Sequence, residues 1–375
     1  MTAGVGIERV ETVPYSLPFA RPYVTARGTL HEREMVLLRL RTGTEGLEGL
    51  GEAVPMSLRG DSSLAAVTAS IDDAAARLAG LDLAPAREDP LAFAIATVVE
   101  MTGSRSLGAA GRAAIECAVF DLAAKVADEP LWRLLGATNV EPLEVNATLG
   151  ADTPDALAAE AADWADAGFE TFKLKLGHGD DVEIVRAVRD AVGLATRIRL
   201  DANEGWKPRE AAAILNELEP LVIELCEQPV AGLRGLARVV KDTAVPIAAD
   251  ESVTSEADAH RAVQRHACAF ATAKLSKVGG IGAARQIARV LPTYMSSALD
   301  GPVGIAAAAH AAQVLIADGN DPGVAHGLAT QRLFAESIAV RECRIETGEL
   351  HLPDGFGLGV ELDEDALARR ALPRE

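Results

Sequence analysis

From about residue 143 the chain alternates short runs of β-type residues with alanine-rich stretches of helical period. The runs are LEVNATLG (143–150), TFKLKLG (171–177), RIRLDAN (197–203), VIELCEQP (222–229), PIAADES (246–252), FATAKLSK (270–277), YMSSALD (294–300) and GVAHGLAT (323–330). Between them lie segments such as TPDALAAEAADWADAG, where Thr153 is placed to cap a helix, Pro154 suits its first turn and Gly168 its end. Eight strands in succession, mostly separated by helices, predict a parallel β/α barrel. The first 135 residues read differently. MVLLRLRT (35–42) and GLEGLGEAVP (46–55) predict a hairpin, while SSLAAVTASIDDAAARLAG and GRAAIECAVFDLAAKVA carry apolar residues at helical spacing. IAVRECRIETGELHL near the end predicts two further strands and a tail returning to the N-terminal unit. The expected organisation is an α+β domain over 1–135, completed by 336–375, and a barrel over 136–335.

A chain of 375 residues with 49% apolar side chains has material for a large core. Its 55 acidic against 36 basic side chains repel phosphate backbones and anionic lipid, which disfavours nucleic-acid and membrane partners. No run of about 18 apolar residues predicts a membrane span, and MTAGVGIERVETVPYSL lacks the basic start and apolar core of a secretory signal. Cys117, Cys226, Cys268 and Cys343 form no CxxC pair and read as reduced core residues, so a cytoplasmic location is expected. Barrels of this size often associate; a homo-oligomer stays open, since no interface is legible.

In a β/α barrel the C-terminal strand ends converge on one mouth. Here five consecutive strands end in Lys175, Asp201, Glu227, Asp250 and Lys274, at intervals of 26, 26, 23 and 24 residues. Three carboxylates at close quarters need a cation to stay ionised. An all-oxygen donor set favours a hard divalent ion, Mg²⁺ before Mn²⁺. Lys173 lies on the same strand face as Lys175, and both are expected to face the acidic site. Lysines on strands two and six stand on opposite sides of the mouth. That arrangement suits removal of a proton from the carbon next to a carboxylate, with the charge of the resulting enediolate stabilised where it develops. A lysine base requires its pKa to fall toward about 7 to 8, and the repulsion of Lys173 is expected to help. The partner is then a small-molecule carboxylate. A strand-six lysine also suits Schiff-base chemistry.

The pieces KLK (173–175), RLDAN (199–203), CEQP (226–229), ADES (249–252) and KLSKVGG (274–280), together with GEAVP (51–55), resemble the muconate lactonizing enzyme subgroup of the enolase superfamily across nearly the whole chain. The resemblance implies an α/β fold, a modified (β/α)8-type barrel of form (β/α)7β with an α+β N-terminal capping domain. It also implies Mg²⁺ ligands at Asp201, Glu227 and Asp250, acid/base roles for Lys175 and Lys274, and supporting positions for Lys173, Asn203 and Glu251. SSALDGPVGIAAAAHAA (296–312) and HGLAT (326–330) are similar to the last strands of o-succinylbenzoate synthases, which implies dehydration on the menaquinone path. Racemisation of N-acylamino acids, epimerisation of dipeptides and muconate cycloisomerisation are the alternatives. The D-x-D motif usual in dipeptide epimerases is not present at the eighth strand. PFARPYVTARGTLHERE (18–34), which includes Arg27, resembles a substrate-covering loop. Arg27, Ser296, Ser297 and His326 are the candidate substrate contacts. Asp300-Gly301-Pro302 and Ala329 depart from the synthase pattern near the expected pocket. Gly279-Gly280 suits a turn or an anion cradle, His310 reads as packing, and Trp206 as packing at the start of the third helix.

Overall fold

A computed structural model describes residues 6–25, 28–43, 46–56, 62–103, 107–150, 153–177 and 180–374. Alternating apolar residues draw the N-terminus into a long antiparallel hairpin of β1 (Ile7–Thr25) and β2 (Gly28–Thr42), to which β3 (Glu48–Ala53) adds in register from Val36↔Ala53 to Arg41↔Glu48. The second hairpin is the one predicted. β1 was not foreseen, and it turns much of the expected covering loop at 18–34 into paired strand, with its register shifting between Pro18 and Tyr23. Among the described residues five α-helices follow: α1 (Leu64–Ala75), α2 (Ala84–Glu88), α3 (Pro90–Thr102), α4 (Ala109–Val126) and α5 (Leu131–Leu134). The α4 helix lies directly on the glycine face of β3. A Cβ at Gly51 would stand 1.9 Å from the Ala114 carbonyl oxygen, so only glycine permits this approach.

After β4 (Leu143–Glu144), which lies outside the barrel sheet, the barrel strands are β5 (Ala147–Leu149), β6 (Thr171–Lys175), β7 (Arg197–Asp201), β8 (Ile223–Glu227), β9 (Ile247–Ala249), β10 (Phe270–Ala273) and β11 (Thr293–Met295). Among the described residues, β5 to β11 form one parallel seven-stranded sheet in sequence order. Its two edges meet through the segment around His326, by parallel bridges Val145↔His326 and Ser296↔Gly327. The eighth stave is thus two bridges rather than a full strand, and the fold is the modified barrel expected. The outer helices are α6 (Pro154–Asp166), α7 (Asp181–Val192), α8 (Pro208–Leu218), α9 (Gly232–Asp242), α10 (Glu256–Gln264), α11 (Leu275–Val278), α12 (Ile281–Ala288) and α13 (Pro302–Ala317). Thr153 caps α6 by accepting from Ala156 N, Pro154 opens that helix, and Gly168 has φ +90° beyond its end, as predicted. Trp206 packs as expected and donates from Nε1 to Asp181 Oδ2 at 2.8 Å.

The C-terminal strands β12 (Ala339–Arg341), β13 (Arg344–Glu346), β14 (Glu349–His351) and β15 (Glu361–Leu362) and helix α14 (Glu364–Arg370) return to the front of the chain. β14 pairs with β4, and Arg39 of β2 forms an ion pair with Glu364. Buried Asp121 of α4 accepts from Leu50 N, Leu358 N and Lys125 Nζ, binding cap sheet, cap helix and tail together. The four cysteines are free thiols, and among the described residues no helix is long and apolar enough to cross a membrane.

Candidate active site

Parallel register sets the site. Lys175 pairs with Asp201 and Asp201 with Glu227 across β6, β7 and β8, so these side chains leave adjacent staves at one level. Asp250 follows the end of β9, and Lys274 follows β10 as the N-cap of α11. The LSK part of the sixth run (275–277) is therefore helix rather than strand. All three carboxylates are buried. Gln228 holds two stave ends together: Oε1 accepts from Asp250 N (2.9 Å) and Ser252 N (3.1 Å), while Nε2 donates to Val230 O and Ser252 Oγ. With φ +40° at Gln228 and +44° at Asn203, the chain turns sharply just beyond Glu227 and Asp201.

Each carboxylate meets an ammonium. Lys173 Nζ lies 2.7 Å from Glu227 Oε2 and 2.9 Å from Asp201 Oδ2. Lys175 donates to Asp201 Oδ2 at 2.6 Å and to Asn203 Oδ1 at 2.9 Å, and Asn203 Nδ2 donates on to Glu251 Oε1 at 3.2 Å. Lys274 reaches Asp250 Oδ2 at 2.5 Å and stands 3.7 Å from Glu227 Oε1. Burial alone would lower the Lys173 and Lys274 ammonium groups. For Lys173 the charges of Asp201 and Glu227 outweigh it, and for Lys274 those of Asp250 and Glu227, so both are held above the usual lysine range. Burial raises Asp201, yet Lys173, Lys175 and Lys274 hold it well below the usual carboxylate range. The expected repulsion between Lys173 and Lys175 is replaced by a clamp in which both grip one Asp201 oxygen.

A hard divalent cation fits this donor set. The three carboxylates supply only oxygen, and Glu227 Oε1 is buried and accepts no hydrogen bond from a described residue. Among the described residues, no group of three or more carboxylate, histidine or cysteine side chains is gathered in a ready-made metal-holding arrangement. The ammonium groups stand among the carboxylates instead, and Asp201, Glu227 and Asp250 are the residues that would hold Mg²⁺.

The expected substrate contacts fare differently. Arg27 lies outside the described residues, as do 57–61 of the neighbouring cap segment. Ser297 is committed to a turn, donating to Asp300 Oδ2 (2.7 Å) and accepting from Asp300 N (2.9 Å). Ser296 is buried against Gly327, where a Cβ would meet its Oγ at 2.5 Å. His326 accepts from Met295 N at 3.1 Å, and burial and then Arg199 push it down to about 3, so it is a neutral stave-closing residue. Asp300 and Gly301 face the cap rather than the mouth: Gly301 N donates to Glu52 Oε1 at 2.7 Å. His310 packs as expected, accepting from Trp132 N. Gly279-Gly280 is a turn whose following helix end is filled by Glu116, with Oε1 accepting from Gly282 N at 3.0 Å.

Two residues were missed. Lys277 gives all three of its donors to Asp250 O, Asp250 Oδ1 and Thr272 O, at 2.5, 2.7 and 2.7 Å. Its signal was the i, i+3 spacing from Lys274. Tyr294 donates to Glu227 Oε2 at 2.9 Å, and its signal was its phase on the seventh stave.

The mandelate racemase / muconate lactonizing enzyme N-terminal domain profile matches residues 8–136, and the enolase C-terminal domain-like profile matches 156–366. The L-Ala-D/L-Glu epimerase of Bacillus subtilis (strain 168) is 34% identical over 319 residues, covering 81% of this chain and 84% of that protein. The chloromuconate cycloisomerase of Pseudomonas sp. (strain P51) is 30% identical over 375 residues, covering 96% and 97%. A solved dipeptide epimerase from Cytophaga hutchinsonii, complexed with Mg and the dipeptide D-Ala-L-Val, superposes with a TM-score of 0.87 at 28% identity, covering 98% of each chain. The chain belongs to the mandelate racemase/muconate lactonizing enzyme family of the enolase superfamily.

Proposed function

We propose that this protein is a Mg²⁺-dependent racemase or epimerase that moves the proton on the carbon next to a carboxylate, acting on an N-acylated amino acid or a dipeptide. One observation carries the reading: amines on staves two and six, Lys175 and Lys274, flank three carboxylates on the staves between them. Two bases on opposite faces of one carbon are what a 1,1-proton transfer requires. Asp201, Glu227 and Asp250 would hold Mg²⁺, with Mn²⁺ as a substitute. Bound there, the ion supplies positive charge to the substrate carboxylate, where negative charge grows as the α-proton leaves.

The charges balance. Four ammonium groups, Lys173, Lys175, Lys274 and Lys277, face the carboxylates of Asp201, Glu227, Asp250 and Glu251. Adding a divalent cation and a monocarboxylate leaves one positive charge in excess, and releasing one lysine proton removes it. Lys175 in its neutral form takes the α-proton from one face. Lys274 in its protonated form delivers its proton to the other face, which inverts the carbon; the reverse direction exchanges the roles. Elimination of water, expected from the likeness to o-succinylbenzoate synthases, has no support among the relatives described above, which are epimerases and a cycloisomerase.

The test is proton NMR in D₂O with Mg²⁺ and a panel of N-acylamino acids and dipeptides. Wild type should exchange the α-proton and racemise. Lys175→Ala should still exchange one stereoisomer and Lys274→Ala only the other, with racemisation reduced by at least about 10³-fold in each. A dehydrated product or a lactone without exchange, or exchange of both stereoisomers in both variants, would overturn the proposal.

A further inference from the structure

We infer that Tyr294 is a positioning residue that chooses which oxygen of Glu227 is offered to the metal. This rests on the reading that Asp201, Glu227 and Asp250 hold Mg²⁺. Tyr294 rises from the middle of β11 into the barrel interior, where it packs with Leu225 and Ala248. Its hydroxyl stands between two partners, Thr272 Oγ1 at 2.8 Å and Glu227 Oε2 at 2.9 Å.

The direction of both bonds is forced. An ionised carboxylate only accepts, so the single tyrosine proton points to Glu227, and the Thr272 hydroxyl must donate to the tyrosine oxygen. Lys173 donates to the same Glu227 oxygen at 2.7 Å. Oε2 is therefore held from two sides by residues of the second and seventh staves. Oε1 is buried and accepts no hydrogen bond from a described residue, with the Lys274 amine 3.7 Å away. One oxygen is anchored and the other is left for a cation, which fixes the carboxylate plane before any ion arrives.

The anchor is itself braced. The Arg199 guanidinium lies over the Tyr294 ring, 5.3 Å from its centroid, and is held by Glu224 and by Ala325 O. Thr272 serves a second ligand as well, because its carbonyl accepts from Lys277, whose amine also grips Asp250. Stave six thus ties the ligand of stave four, through Tyr294, to the ligand of stave five, through Lys277. Losing a hydrogen bond that orients a ligand typically weakens metal binding by about 10- to 100-fold.

Calorimetric titration of the full-length protein with MgCl₂ tests this. Wild type should bind one Mg²⁺ and Glu227→Gln should lose it; no binding by wild type, or unchanged binding by Glu227→Gln, defeats the metal reading itself. Given that binding, Tyr294→Phe should raise the dissociation constant about 10- to 100-fold, with the melting temperature in EDTA unchanged and kcat restored by excess Mg²⁺. Thr272→Val should shift affinity the same way by less, and Thr272→Ser should restore it. Wild-type affinity in Tyr294→Phe overturns the inference and leaves the metal reading standing. If that variant does not fold, equal affinity in the Val and Ser variants overturns it.

Discussion

Two lysines one helical turn apart do different work. Lys274 forms an ion pair with one Asp250 oxygen, and under the proposed mechanism that pairing has to be relieved for it to act as a base, which a cation among the carboxylates would do. Lys277 instead spends every donor on Asp250 and the Thr272 carbonyl, and its pKa is pulled down by burial against the pull of Asp250. Lys277→Met would take a charged donor from two carbonyls and from a buried carboxylate oxygen, so a loss of about 3–5 kcal/mol in urea unfolding is expected. Lys175→Met leaves Asp201 its Lys173 partner, and the side chain is partly exposed, so it should cost no more than about 1–2 kcal/mol. Proton exchange reverses the ranking: Lys175→Met should lose abstraction on one face outright, and Lys277→Met should keep a measurable rate on both. Equal stability losses in the two variants would remove the distinction.

At the scale of elements, the cap is docked by two buried carboxylates set at barrel helix N-termini. Glu52 of β3 accepts from Gly301 N at the start of α13 and from the Tyr15 hydroxyl, and Glu116 of α4 accepts from Gly282 N at the start of α12. Burial first, and Asp300 next, push Glu52 up to about 8; burial pushes Glu116 up to about 7. Between the ordinary glutamate value of 4.5 and these values the folded protein holds protons that the unfolded chain has already released. Stability from these two groups is therefore full below about 4.5 and is lost as the pH rises through 7 and 8. Asp300 and Glu342 are raised too and act in the same direction. Urea unfolding at stepped pH should show the decline, and Glu116→Gln should flatten its lower part. His310 and His326, pushed down by burial to about 4 and about 3 from 6.5, oppose the decline up to about pH 6.5, so a rise in stability between pH 6.5 and 8 would contradict the docking role. Much of the ladder was legible in the chain: β6, β7 and β8 fall within the runs read as strands, because short runs of β-type residues recur at one interval with helical text between them. The eighth stave and LSK were misread, since a two-bridge stave and a four-residue helix leave no period to detect. Ser297 and Asp300 looked like mouth residues because sequence position does not tell which side of a turn a hydroxyl serves. Glu52 and Glu116 could not be placed at all, for their partners are 249 and 166 residues away.

At the scale of the molecule, the acidic excess of 19 charges draws divalent cations toward the protein, while the site itself is balanced ammonium against carboxylate. A bound Mg²⁺ has to be more than a surface counterion: it must displace ammonium groups from buried carboxylates, and the unfolded chain offers no such cluster. Binding to the folded form alone raises stability by about 2.7 kcal/mol at a concentration 100 times the dissociation constant. The melting temperature should therefore climb with the logarithm of Mg²⁺ concentration and fall back with EDTA, and it should do so far less in Asp201→Asn. Monovalent salt separates this from diffuse attraction, because a Debye length of about 8 Å at physiological ionic strength screens the surface field and leaves buried contacts nearly untouched. A Mg²⁺-dependent rise that persists in molar KCl locates the ion inside the barrel mouth. A rise abolished by KCl, or equal in Asp201→Asn, places the ion on the acidic surface and withdraws the charge that the proposed proton transfer between Lys175 and Lys274 would need.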